Sequence, residues 1–207
     1  PAPEKQPMAK PGVYVRKIKV TGSTVFSAQE LGAVTTAYEN RILTMEDLEA
    51  CRRALTLLYV NGGYVSSGAV IPDQTVRDGT ITCQVIEGTL TRIDVEGNQW
   101  FAAGYLKDRI ALGAATPVNV VALQNRLQLL QQDQRLARIN AELRPGSRLG
   151  ESELAVKVEE KPPFSATLAF NNYQSPSVGS ERGLFTLAHQ NLIGHADVLS
   201  LTYGRSE

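Results

Sequence analysis

The strongest constraint in this sequence is that one pattern of apolar residues and glycines occurs twice. Ile18, Val20, Gly22 and Phe26 return 75 residues later as Ile93, Val95, Gly97 and Phe101, and Leu31, Leu48 and Leu55 return as Leu106, Leu123 and Leu130. At a shift of 73, Pro72, Ile81, Cys83 and Val85 recur as Pro145, Leu154, Val156 and Val158. The two-residue difference belongs in a helix-to-strand connection, where a change of loop length costs little. Glycine, spacing and hydrophobic register coincide, which marks two copies of one fold.

Within the first copy, Ile18 and Val20 before Gly22 read as a strand closing in a turn. Ser27 to Glu30 fits a capping box and starts a short helix with Leu31 and Val34 inward. Thr44 to Asp47 starts a second helix with acidic residues in the favourable first turn. Leu48, Cys51, Leu55 and Leu58 fall on one face of that helix, and Asn61-Gly62-Gly63 ends it. Two strands follow. Val65, Ser67, Ala69 and Ile71 share one side of the first; Ile81, Cys83 and Val85 alternate with Thr82, Gln84 and Ile86 in the second. Pro72-Asp73 and Gly79 bound the turn between them. The order β-α-α-β-β predicts a two-layer α/β (α+β) unit, a three-stranded mixed sheet covered on one face by two helices. In the second copy Asn119 is placed to cap a longer helix with a Leu123, Leu127, Leu130 stripe.

The expected organisation is a linker over 1–13, domains over 14–88 and 89–163, and a third region over 164–207. The linker, PAPEKQPMAKPG and one residue more, is too proline-rich for a helix interior or a central strand. The junction at Gly88 to Leu90 leaves almost no spacer, so the pair is expected to act as a semi-rigid rod. After Lys161-Pro162-Pro163 the stretches SATLAFNNY, RGLFTLAHQNL and ADVLSLTYG alternate in character. Each is close to the ~9–11 residues of a tilted membrane strand. Ser175-Pro176-Ser177 and Asn191-Leu192-Ile193-Gly194 separate them. A soluble meander and the start of a membrane barrel both fit. Three strands cannot close a barrel, since the smallest needs about eight.

Twenty-one basic residues balance 21 acidic ones, which argues against a nucleic-acid partner. No apolar run reaches the length of a membrane helix, and no signal peptide is recognisable. Enzyme chemistry finds little support. His189 and His195 lie near Asp197 without a third metal ligand at suitable spacing, and Glu159-Glu160 read as solvated charges. No phosphate loop, nucleophile elbow or Cys-x-x-Cys occurs, and no cofactor or small-molecule substrate is expected. Cys51 and Cys83 both point into the first core; two buried thiols and a disulfide are both open. Gly22, Gly97 and Gly88 read as turn residues needing positive φ, with Gly88 also placed to set the angle between domains.

Gly63-Tyr64, Ile71-Pro72-x-Gln74, Gly79-x-Ile81 and Val85-Ile86-Glu87-Gly88 together resemble the first polypeptide-transport-associated (POTRA) domain of the outer-membrane transporters of two-partner secretion, the hemolysin-activator and filamentous-hemagglutinin type of the Omp85 superfamily. The second copy departs from the pattern, lacking Gly-Tyr and Pro-x-Gln but keeping Arg144-Pro145-Gly146 and the alternating Val156, Val158, Glu159. Asn171-Asn172-Tyr173 through Gly179 and Arg182 resembles the first barrel hairpin, and Asn191 to Gly194 with Asp197, Leu199 and Leu201 the return into later strands. The resemblance implies a long C-terminal barrel, a plug helix ahead of the linker, an outer-membrane location with these domains in the periplasm, and an unfolded secreted exoprotein as partner. An Omp85-type assembly factor and a scaffold of purely structural repeats are the alternatives.

An extended chain can add a strand to a sheet edge. The resemblance marks Val65, Ser66, Ser67, Gly68, Ala69, Val70 and Ile71 as that edge, with no lysine or central proline to guard it. A groove toward the first helix would be walled by Leu31 and Val34. In the second domain the corresponding strand would run from about Leu136 to Leu143, with Asn140 and Glu142 on the binding edge and Arg138 and Arg144 giving selectivity.

Overall fold

In a computed structural model the structure describes residues 12–171 and 181–206. Of the expected linker over 1–13, residues 1–11 lie outside the described residues and Val13 already belongs to a strand; residues 172–180 of the expected hairpin also lie outside them. Elements run in the order β1 (Val13–Val15), β2 (Lys17–Thr21), α1 (Ala28–Thr35), a 3-10 turn (Thr36–Tyr38), β3 (Arg41–Leu43), α2 (Met45–Asn61), β4 (Gly68–Val70) and β5 (Thr80–Ile86). They continue with β6 (Thr89–Glu96), α3 (Ala103–Ala111), α4 (Val120–Gln131), β7 (Leu136–Pro145), β8 (Glu151–Glu160), β9 (Phe164–Asn171), β10 (Arg182–His189) and β11 (Leu199–Ser206).

Both copies build the same sheet. The first has strand order β2-β5-β4 and the second β6-β8-β7, so the last strand lies centrally in each. In the first sheet β2 runs parallel to β5 and β4 antiparallel to it, the mixed arrangement expected. Gly22 and Gly97 carry the repeat down to the backbone. Their φ values are +84° and +83°, and a Cβ on either would stand 2.4 Å from a carbonyl oxygen, that of Val85 or of Val158. Positive φ and a backbone neighbour both demand glycine.

The helices start as their sequences dictate. Ser27 Oγ accepts the Glu30 amide at 3.3 Å while the Glu30 carboxylate accepts the Ser27 amide at 2.8 Å. Thr44 and Asp47 repeat this at 3.2 and 2.9 Å. Asn119 Oδ1 accepts the Val121 amide at 2.9 Å at the start of α4. The first core gathers Ile18, Leu31, Cys51, Leu55, Tyr59, Ile81, Cys83 and Val85. Leu106, Ile110, Leu123, Leu136, Leu154, Val156 and Val158 are buried in the second copy.

By compactness the first unit runs through Thr91 and also takes in 114–121 and 145–152; the second takes 92–113, 122–144 and the chain from Glu153 onward. Inside the first unit, the amide of Val118 donates to Gly88 O at 2.8 Å and that of Val120 to Gly63 O at 2.9 Å. Asn119 Nδ2 donates to Gly62 O at 2.9 Å. One small sheet was not foreseen: β1 pairs antiparallel with β3, each only three residues long.

The third sheet has order β11-β10-β9, antiparallel throughout, and is not closed. Its register aligns Leu168, Phe185 and Tyr203, and next to them Ala166, Leu187 and Leu201. One face is therefore exposed and apolar. The other carries Thr186 and Thr202, whose hydroxyls meet at 2.9 Å.

Candidate polypeptide-binding edges and groove

β4 is an edge strand of the first sheet, but a short one, and α2 reaches over it. The outward amide of Ala69 donates to Thr56 Oγ1 at 3.1 Å, and its carbonyl accepts from Arg52 Nη1 at 3.4 Å. Arg52 is itself held by Glu49, through Nε at 3.0 and 2.9 Å and through Nη2. Ala69 is only 1% exposed. The expected seven-residue strand shrinks to Gly68–Val70 because the chain turns at 65–67, and the Ser66 and Ser67 side chains are engaged elsewhere. Ser67 Oγ accepts the Gly88 amide at 2.8 Å, and Ser66 Oγ meets Ser152 Oγ at 2.6 Å. Ile71 packs half-buried against the core.

A second correction concerns the groove. Leu31 is buried in the core and Val34 packs against it, so neither walls a groove beside β4. The helix next to β4 is α2. A groove of about 760 Å³ lies between α2 and the segment after β4, lined by Leu48, Arg52, Ile71, Pro72, Gln74 and Val76 among others.

Gln74 explains the Pro-x-Gln motif physically. Its side-chain amide donates to Thr82 O at 2.8 Å and accepts the Thr82 amide at 2.7 Å. An amide side chain thus pairs with β5 as a backbone would, beyond the point where β4 stops. Proline at 72 has no N–H to give.

The second sheet offers a longer rim. β7 has ten residues at the sheet edge. Among the described residues, no loop or side-chain hydrogen bond reaches the main chain of 137–145. Arg138, Asn140, Glu142 and Arg144 all lie exposed along it, on alternate positions. The Glu142 carboxylate accepts from Arg144 at 2.6 Å, and that guanidinium holds Glu142 below the usual carboxylate range. Asp94, Glu96 and Lys157 join Asn140, Glu142 and Arg144 around a mixed-charge depression of about 280 Å³.

Gly88 does not need positive φ, contrary to expectation; Gly22 and Gly97 do. Close approach dictates glycine instead, since a Cβ at 88 would stand 2.6 Å from Ser66 Cβ and 2.9 Å from Ser66 C. Cys51 and Cys83 are buried free thiols here. The Cys51 thiol is held protonated by its hydrogen bond to Cys83, and burial pushes the same way.

His189 joins an aromatic cluster with Trp100 and Phe164, at centroid distances of 5.6 and 4.7 Å, and His195 stands edge-on to Tyr105 at 5.7 Å. Asp197 accepts the amides of Leu192 and Ile193, at 2.9 and 3.0 Å. Glu160 accepts amides of Gln99, Trp100 and Phe101, so Glu159-Glu160 includes one engaged carboxylate rather than two solvated ones. Among the described residues no three His, Cys, Asp or Glu side chains group as metal ligands. Sequence reasoning missed Thr56, Arg52 and Glu49; the i, i+4 spacing of 52 and 56 puts both on one helix face, the only available signal.

Tandem two-layer modules with edge strands, leading into antiparallel strands with one apolar face, have the architecture of POTRA domains followed by a strand region. Residues 13–88 match the family POTRA domain, ShlB-type, and residues 150–207 match haemolysin secretion/activation protein ShlB/FhaC/HecB. The two matches are of one type, and the chain belongs with the ShlB/FhaC family. It is 26% identical over 200 residues to outer membrane transporter CdiB of Dickeya dadantii, covering 95% of this chain and 34% of that one. To hemolysin transporter protein ShlB of Serratia marcescens it is 26% identical over 192 residues, covering 92% and 32%. The solved structure of CdiB from Escherichia coli superposes with a TM-score of 0.65 at 25% identity, over 99% of this chain and 38% of that one. The chain thus spans about a third of the length of these curated relatives.

Proposed function

We propose that this chain receives an unfolded exoprotein in the periplasm and delivers it to the outer-membrane pore of the same transporter. Main-chain pairing suits such a client, because every segment of it carries backbone donors and acceptors whatever its side chains. The observation that carries the reading is the ten-residue β7 rim, paired with β8 on one side and, over 137–145, reached by no loop or side-chain hydrogen bond among the described residues. The apolar groove beside α2 adds a second contact of lower backbone demand. A backbone hydrogen bond contributes a net ~0.5–1.5 kcal/mol, and a few of them offset by ordering entropy give weak, reversible capture. Tight binding would stall export.

The test is a photocrosslinking amino acid at Asn140 in the full-length transporter, in cells exporting the cognate exoprotein. Adducts to the exoprotein in transit are expected. Adducts to nascent outer-membrane proteins would favour the assembly-factor reading, and none at Asn140 or Glu142 would leave a structural scaffold.

A further inference from the structure

We infer that Cys51 and Cys83 form a disulfide in the mature periplasmic protein, joining α2 to the central strand β5. The inference is independent of the proposed client capture. Four observations support it. The chain contains two cysteines, and each is the other's neighbour. Both are 0% exposed, one on the core face of α2 and one on the core face of β5. The strongest influence on each thiol is the other one, so closing to an S–S bond of ~2.0 Å asks for a local side-chain adjustment. Lastly, a POTRA module of an outer-membrane transporter is expected in the periplasm, where thiols that meet are oxidised.

The chemistry balances by thiol–disulfide exchange. One cysteine, as thiolate, attacks a sulfur of an oxidant disulfide and expels a thiol. The other cysteine then attacks the mixed disulfide and expels the second thiol. Two S–H bonds are lost and one S–S bond forms in the protein, while the oxidant takes up two electrons and two protons. With both sulfurs sealed in the folded core, the oxidant meets them before α2 closes on the sheet. The bridge therefore forms during folding and is then protected from small reductants.

Its structural effect falls on the wall of the groove. Cys51 is adjacent to Arg52 and little more than a turn from Thr56, the two residues that hold Ala69. Tying Cys51 to β5 fixes that part of α2 over β4.

The full-length transporter, isolated from outer membranes without reductant, is denatured in excess iodoacetamide and its peptides weighed. A bridge leaves both cysteines unlabelled until reductant is added, with the peptide spanning both about 2 Da lighter than the dithiol. Labelling of both without reductant overturns the inference. As a second readout, reductant should lower the unfolding midpoint of the POTRA region in that protein by roughly 10–20 °C. The C51A/C83A double variant should show no reductant dependence. An unchanged wild-type midpoint, with both cysteines labelled whether or not reductant is present, would equally count against the bridge.

Discussion

Thr56, midway along α2, accepts the amide proton of Ala69 at 3.1 Å and so occupies a donor that a strand added to β4 would need. The same hydroxyl donates to Arg52 O at 3.0 Å. Replacing Thr56 by Val keeps the shape and strands the Ala69 amide. We expect a loss of about 1–3 kcal/mol in denaturant unfolding, and faster hydrogen exchange at Ala69.

Gln74 pairs with Thr82 through both ends of its amide. Gln74→Ala removes both bonds and should cost about 1–2 kcal/mol, while Gln74→Glu, which keeps the acceptor and loses the donor, should cost measurably too. Chemical denaturation of both variants checks the order. Wild-type stability in Gln74→Ala would mean water replaces the amide without penalty.

Gly88→Ala and Gly97→Ala should both destabilise, for different reasons. At 88 the added methyl meets Ser66 and overpacks a turn, at about 1–3 kcal/mol. At 97 it meets a carbonyl oxygen with φ at +83°, where strain adds to the clash. Gly97→Ala should therefore be the worse of the two in thermal unfolding, and Ser66→Gly should restore Gly88→Ala only in part, because the Ser66 backbone carbon at 2.9 Å remains.

The capping carboxylates set an acid limit. The hydrogen bonds from Ser27 hold Glu30 below its ordinary 4.5, those from Thr44 hold Asp47 below 3.8, and Arg135 holds Asp133 below 3.8. A pKa lowered on folding stabilises the fold above the unfolded value, and the contribution is lost as pH falls through the folded one. Stability should be level near neutrality and decline below about pH 4.5. Glu30→Gln with Asp47→Asn should flatten that decline in unfolding midpoints measured against pH.

Leu168 and Thr167 lie on opposite faces of β9. An arginine at 168, on the apolar face, should impair assembly of the full-length transporter by about 2–4 kcal/mol, while one at 167 should be tolerated. Heat-modifiable migration of the membrane protein distinguishes them.

What sequence could reveal here depended on range. Gly22 and Gly97, the two capping boxes and the alternation of Ile81, Cys83 and Val85 are local signals, and the structure places each as read. β1 and β3 escaped notice because three residues carry too little periodicity. The cover over β4 was invisible for another reason. Thr56 and Arg52 look like solvent-side residues of a helix, and only the tertiary approach of α2 brings them to Ala69. Leu31 and Val34 were read as inward-facing, which they are, and then assigned to a groove that forms beside the other helix.

Glu87 and Glu160 stand at corresponding ends of β5 and β8, each reaching back to the loop that follows its module's first strand. Glu87 takes the amide and hydroxyl of Thr24, both at 2.6 Å, and Glu160 takes the amides of 99–101. Each module's opening loop is thus fastened by a residue made more than 55 positions later, and its first strand is flanked by its last. As the chain emerges from its biosynthetic or export channel, neither module can be locked from its front end. Closure waits for the final strand and then comes at once, a route dominated by contacts distant in sequence.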